Sequence, residues 1–98
     1  MSNNMQQQAM ELQKKVAEAQ QQLGELTVKG ISGGGMAIAE LTGKYDPVKL
    51  TINPTLLKED AKTIGEVINA AYADAKTKAD GLIDTVMGKA LQGINLDD

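Results

Sequence analysis

The sequence predicts an α+β fold in which two long helices flank a small antiparallel sheet, and three observations carry that expectation. Apolar residues at Met5, Ala9, Leu12, Val16, Ala19, Leu23 and Leu26 advance in alternating steps of four and three, the seam of a helix packed on another helix. From Leu26 to Ile52 the period shortens to simple alternation, broken by turn-forming stretches. From Ile64 to Met87 a helical stripe returns, broader than the first.

The first helix is expected over about residues 4–24. Its other faces carry Gln6, Gln7, Gln8, Gln13, Gln20, Gln21 and Gln22, all good helix formers, and Gly24 is the expected stop. Twenty residues of helix span about 30 Å. A surface helix lying on its own core shows a wider apolar stripe, so the narrow seam points to a helical partner, including the same helix in a homodimer.

Three strands follow, over about 26–31, 36–41 and 48–52. Ser32-Gly33-Gly34-Gly35 joins the first two, because glycine tolerates the positive φ angles of hairpin loops. Thr42-Gly43-Lys44-Tyr45-Asp46 is the second turn. In the third strand Val48, Leu50 and Ile52 are expected to face inward and Lys49 and Thr51 outward. Asn53-Pro54 ends the strand and starts a helical turn over 54–58, with asparagine as its cap and proline in its first position. Glu59-Asp60 opens the last helix, expected over about 61–91. Its broad stripe has to cover both the sheet and a helix. Gly65, Gly81 and Gly88 weaken it, and Gly93 and Asn95 suggest fraying ahead of Asp97-Asp98.

Ninety-eight residues fit a single domain, 1–98, and such a chain buries only about two-thirds of the surface its unfolded form exposes. Tyr45 and Tyr72 are the only aromatics, so the core must be built from Leu, Ile, Val, Met and Ala. A modest core of small side chains favours close helix packing and oligomerisation. The chain has no cysteine, no basic apolar leader and no run of about 20 apolar residues, so a cytoplasmic location without a membrane span is expected. It also has no histidine, which with the missing cysteine removes the side chains that most readily titrate or attack near neutral pH. Asp74, Asp80 and Asp84 lie among lysines on the polar flank of a helix, where a solvated, ion-paired face outweighs acid/base catalysis. No catalytic residues, metal ligands, cofactor or small-molecule substrate are therefore expected. The glycine cluster Gly30 to Gly35 precedes a strand instead of a helix and lacks the Gly-Lys-Ser/Thr of a P-loop, so it reads as a hairpin and not as a phosphate cradle.

Nucleic acid remains as a candidate partner. The formal net charge is −3, and the ten basic residues are all lysine. Lys14 and Lys15 are offset by Glu11 and Glu18 in the first helix; Lys62, Lys76, Lys78 and Lys89 are offset by Glu66, Asp74, Asp80 and Asp84 in the last. Pairs such as Glu11 with Lys15 and Asp74 with Lys78 have the favourable i,i+4 order. Without arginine to read guanine or aromatic clusters to stack on single strands, any DNA binding should be weak, salt-sensitive and poorly specific.

This order of elements, a Gln-rich helix, a Gly-rich hairpin, two more strands, an Asn-Pro-x-Leu-Leu turn and an Ala-rich helix, resembles the YbaB/EbfC family of nucleoid-associated proteins. The motifs behind the resemblance are Met10 to Gln22, the Gly30-Ile-Ser-Gly-Gly-Gly-Met segment, Ile52-Asn53-Pro54-Thr55-Leu56-Leu57, and Ala70-Ala71-Tyr72-Ala73-Asp74-Ala75-Lys76. Together they span about residues 5–90. The resemblance implies a tweezer-like homodimer that binds duplex DNA in the bacterial nucleoid with little sequence preference and without catalysis. It implies DNA contacts at Lys14, Lys15, Lys76, Lys78 and Lys89, on the two helical arms. Candidates for helix packing or the dimer interface are Met5, Leu12, Val16, Ala19, Leu23, Val48, Leu50 and Ile52. An alternative reading is a holdase-like interaction module without DNA binding, gripping a protein through apolar helix tips at Met5 and Met10 and at Leu91, Ile94 and Leu96.

Overall fold

The computed structural model describes residues 2–92, and the expected α+β architecture is present. Helix α1 (Ser2–Glu25) leads into strands β1 (Thr27–Ser32), β2 (Ala37–Thr42) and β3 (Pro47–Ile52), a 3-10 turn (Pro54–Lys58) and helix α2 (Ala61–Gln92). The sheet is an antiparallel meander in the order β1-β2-β3. The molecule measures 68 × 19 × 16 Å, because α1 and the second half of α2 form an arm that projects from the sheet. The residues in which fraying was expected, Gly93 to Asp98, lie outside the described part of the chain.

Local chemistry explains the joints. Gly33, Gly34 and Gly35 all take positive φ in the β1–β2 hairpin, a conformation that would strain other residues. Asn53 caps the 3-10 turn, its side chain accepting the Thr55 N–H at 2.9 Å, with Pro54 following. Asp60 does the same for α2, accepting the Thr63 N–H at 2.8 Å, and those hydrogen bonds hold its carboxyl below the usual range.

Two apolar clusters divide the molecule. At the sheet end Ala37, Ala39, Leu41 and Leu56 pack on Ala71 and Ala75 of α2. The abundance of alanine here follows from closeness: α2 crosses β1 so tightly that a Cβ on Gly30 would lie 2.0 Å from the Ala71 carbonyl oxygen. In the arm, Ala19 and Leu23 of α1 pack with Val86 of α2, joined by Leu26, Leu82, Ile83 and Met87. Leu26, expected to open β1, belongs to this cluster instead. The lower half of the α1 seam thus meets α2 of its own chain, which is the helix partner that the narrow stripe required.

Polar contacts tie α2 to the edge of β1. Ser32 Oγ donates to the Val67 carbonyl, the Ile31 N–H donates to Asp74 Oδ2 at 2.9 Å, and Lys78 Nζ donates to the Lys29 carbonyl at 2.9 Å. Lys78 also pairs with Asp74 at 3.1 Å. An edge strand otherwise offers unpaired backbone groups to other chains, and α2 engages two of those on β1. The Ile31 N–H, and then Lys78, hold the Asp74 carboxyl below its ordinary value. A depressed carboxylate stabilises the fold above its unfolded pKa of 3.8 and loses that contribution as pH falls below it. Urea midpoints taken near neutrality and near pH 3 should therefore differ less in Asp74→Ala than in the wild type; equal differences would mean that the contact contributes nothing.

The third strand departs from expectation. Val48, Leu50 and Ile52 were expected to face inward, yet Val48 is 53% exposed, Leu50 is 37% exposed and Ile52 is half-buried. Leu50 and Ile52 do sit opposite Ala39 and Ala37, on the face that α2 covers elsewhere. The helix lies over β1 and β2 and leaves β3 bare except at Ile52, which packs against the sheet-end core. A bulge adds to this, since Glu40 pairs with Lys49 while Leu41 pairs with Pro47, so Val48 is the extra residue.

Candidate nucleic-acid interface

The arm carries most of the lysines singled out from the sequence. Antiparallel packing brings Lys15 of α1 and Lys89 of α2 to the rim of one groove of about 440 Å³, floored by Ala19 and Val86. Glu18 and Gln22 share that rim. Lys14, one position before Lys15, is exposed.

Lys78 lies on the same side of α2 as Lys89, since eleven residues turn an α-helix to within about 20° of its starting direction. Its ammonium group is already engaged by Asp74 and the Lys29 carbonyl, so it acts in holding the arm to the sheet. Lys76, two residues earlier, points about 160° away from Lys78 around the helix. It shares its side with Asp80 and Asp84, four and eight residues on. The structure therefore does not gather the five lysines into one patch.

That opposite side has its own groove, of about 460 Å³, where Leu23, Ile83 and Met87 lie beneath Lys44 and Tyr45 of the β2–β3 turn. Tyr45 takes a positive φ of 67°, the one non-glycine residue to do so among those described, and its hydroxyl donates to Asp80. The hydrogen bond to Asp80, partial desolvation and the charges of Asp80 and Asp84 all raise the phenol above its ordinary pKa of 10.0. The Gly43 N–H, in the same turn, donates to the Leu23 and Leu26 carbonyls at 2.8 and 3.0 Å, satisfying the C-terminus of α1. Neither the Tyr45–Asp80 contact nor the convergence of Lys15 with Lys89 was read from the sequence. The second had a signal: setting the α1 seam antiparallel to the stripe ending in Val86 and Met87, with Ala19 against Val86, brings Lys15 level with Lys89.

Of the packing candidates, Ala19 and Leu23 are buried in the arm and Leu12 and Val16 are half-buried. Met5 is 72% exposed, and Met10, on another face, is 68% exposed. Leu91 is exposed, while Ile94 and Leu96 lie outside the described residues. Among the described residues no helix is long and apolar enough to cross a membrane, and no three acidic side chains are gathered to hold a metal ion.

Comparison with known proteins places this arrangement. The profile of the YbaB/EbfC DNA-binding family matches residues 1–94. A nucleoid-associated protein of Legionella pneumophila strain Corby is 36% identical over 93 residues, covering 95% of this chain and 83% of the relative. Another, from Caldanaerobacter subterraneus, is 36% identical over 95 residues, covering 96% and 86%. A third, from Caulobacter strain K31, is 40% identical over 84 residues, covering 85% and 77%. The crystal structure of an uncharacterized protein from Helicobacter pylori shares the fold, with a TM-score of 0.70 at 20% identity over 82% of this chain and 85% of that one.

Proposed function

This chain belongs to the YbaB/EbfC DNA-binding family, and from that premise we propose that it is a non-enzymatic nucleoid-associated protein that binds duplex DNA weakly, with little sequence preference, as a homodimer in the bacterial cytoplasm. The observation that carries the reading is the groove of the arm, where lysines from two helices face one space without an arginine or aromatic beside them. Lysine is a point charge that attracts phosphate and reads no base pattern, so such a surface positions a protein on the backbone and leaves sequence unread. The acidic balance of the whole chain, −3, keeps the attraction weak.

Support for the homodimer comes from β3. Val48 and Leu50 leave apolar surface beside α2 that no described element of the protomer covers, and exposed Leu57 follows in the turn after the strand. A second copy seated there would bury these residues and set two arms on one body. Gel-shift titration with duplexes of unrelated sequence tests the function. Binding at low micromolar dimer, with affinities within about tenfold of one another, is expected, because non-specific binding typically has dissociation constants of roughly 10⁻⁴–10⁻⁶ M. No shift at low salt would sink the proposal. Exposed Met5 and Met10 near the end of the arm favour the holdase-like alternative, which suppression of client aggregation without DNA binding would support.

A further inference from the structure

Resting on that reading, we infer that each arm meets DNA with one flank only: the groove between Lys15 and Lys89 seats the DNA backbone, with one phosphate at each lysine, and the flank bearing Asp80 and Asp84 is turned away from it. The two sides of α2 differ in charge. One carries Lys78, Lys89 and Asp74; the other carries Lys76, Asp80 and Asp84. In formal charges the first sums to +1 and the second to −1, and the Asp74 charge is already neutralised by Lys78. Among the described residues of the first side, the cation left over is Lys89, which faces Lys15 across the groove.

The groove suits a phosphate in other ways. Ala19 and Val86 make its floor apolar, so the floor offers no group that competes for the lysines, and the Gln22 amide on the rim adds a neutral donor. The Thr85 hydroxyl is not part of the seat, since it donates to the Gly81 carbonyl at 3.0 Å. Glu18 is the one carboxylate on the rim and opposes the anion. On the other side Asp80 and Asp84 neighbour Lys76 and the Tyr45 hydroxyl, so a phosphate approaching Lys76 meets two carboxylates, and with Lys44 of the β2–β3 turn counted that flank carries no net charge, against +1 on the first. The lysines of this arm are therefore unequal, although they look alike in the sequence.

The test is an anisotropy titration of a labelled duplex against wild type, Lys89→Gln, Lys15→Gln, Lys76→Gln and Glu18→Gln over a range of salt, with circular dichroism confirming helix content in each. Lys89→Gln and Lys15→Gln should each weaken binding about 100-fold, from a loss of about tenfold for the charge-assisted hydrogen bond on each of the two arms. Each should also reduce the slope of log K against log salt by about 1.8, because a dimer carrying the change twice neutralises two fewer phosphates. Lys76→Gln should change affinity less than about twofold and leave the slope alone, and Glu18→Gln should tighten binding. An equal loss in Lys76→Gln, or an unchanged slope in Lys89→Gln, overturns the flank assignment while the DNA-binding reading stands. A wild-type protein that binds no duplex overturns both.

Discussion

Replacing Gly30 by alanine is expected to be the most damaging single-methyl change in the chain. The added Cβ would lie 2.0 Å from the Ala71 carbonyl oxygen, 2.2 Å from the Ala75 nitrogen and 2.7 Å from its Cα. All three are backbone atoms of α2, so no side chain can swing aside. The helix would have to lift from β1, pulling on the Ser32, Asp74 and Lys78 hydrogen bonds that depend on the same approach. In a strand, exchange of glycine for alanine is otherwise favourable by about 0.5–1 kcal/mol. Overpacking against rigid neighbours costs about 3 kcal/mol or more, so the clash decides the sign. For a domain of this size that corresponds to a fall in Tm of about 12 °C or more. Gly81→Ala is the control, since nothing lies within 4 Å of a Cβ there and the site is exposed mid-helix. It should raise stability by about 0.5–1 kcal/mol. A Gly30→Ala protein that melts with the wild type would show that helix and sheet are not in the contact described.

Leu50→Asp is expected to leave the protomer folded and to halve its mass in solution. Leu50 sits on the bare part of the sheet, beside Val48 and on the face that carries Ile52, and removing it takes little from the core around Leu56 and Ala71. In the proposed dimer the new carboxylate would be buried without a partner, a defect worth several kcal/mol and about 100-fold or more in the dimer dissociation constant. Sedimentation at about ten micromolar reads the mass directly. DNA binding should weaken with it, and its salt slope should fall by about half, because a single arm then binds where two did. If the mass stays that of a dimer, the interface lies elsewhere, and the exposed start of the α1 seam at Met5 and Ala9 becomes the surface to test.

The elements themselves were legible because they repeat. The four-three seam of α1, the alternation in the strands and the stripe of α2 each declare a period over several turns or residues, and the Asn53-Pro54 and Asp60 caps mark joints by chemistry that acts within three residues. What could not be read depends on distance along the chain. The seam requires a helix as its partner but is silent on which one, and the structure supplies α2 at Val86 for its lower half. The alternation of Val48, Leu50 and Ile52 marks one face of β3, yet whether anything covers that face depends on where α2 crosses the sheet. That crossing is set by Gly30, which a sequence reading takes for part of a hairpin. The lysines show the same divide. Lys78 looks like any solvent-facing cation until Asp74 and the Lys29 carbonyl, 49 residues away, are seen to hold it. Tyr45 gives no sign of Asp80, because a tyrosine at positive φ is not a pattern that spacing reveals.

On the proposed function, lysines on two paired arms, engaging backbone phosphates, account for the affinity of this protein for DNA. The salt dependence of duplex binding tests it most directly. With Lys15 and Lys89 of each protomer engaged, four neutralised phosphates predict a slope of log K against log salt of about −3.6, or a fall of about 100-fold in affinity between 50 and 200 mM salt, the same for unrelated sequences. Binding that does not weaken with salt, or no binding at about 50 mM, would contradict the account.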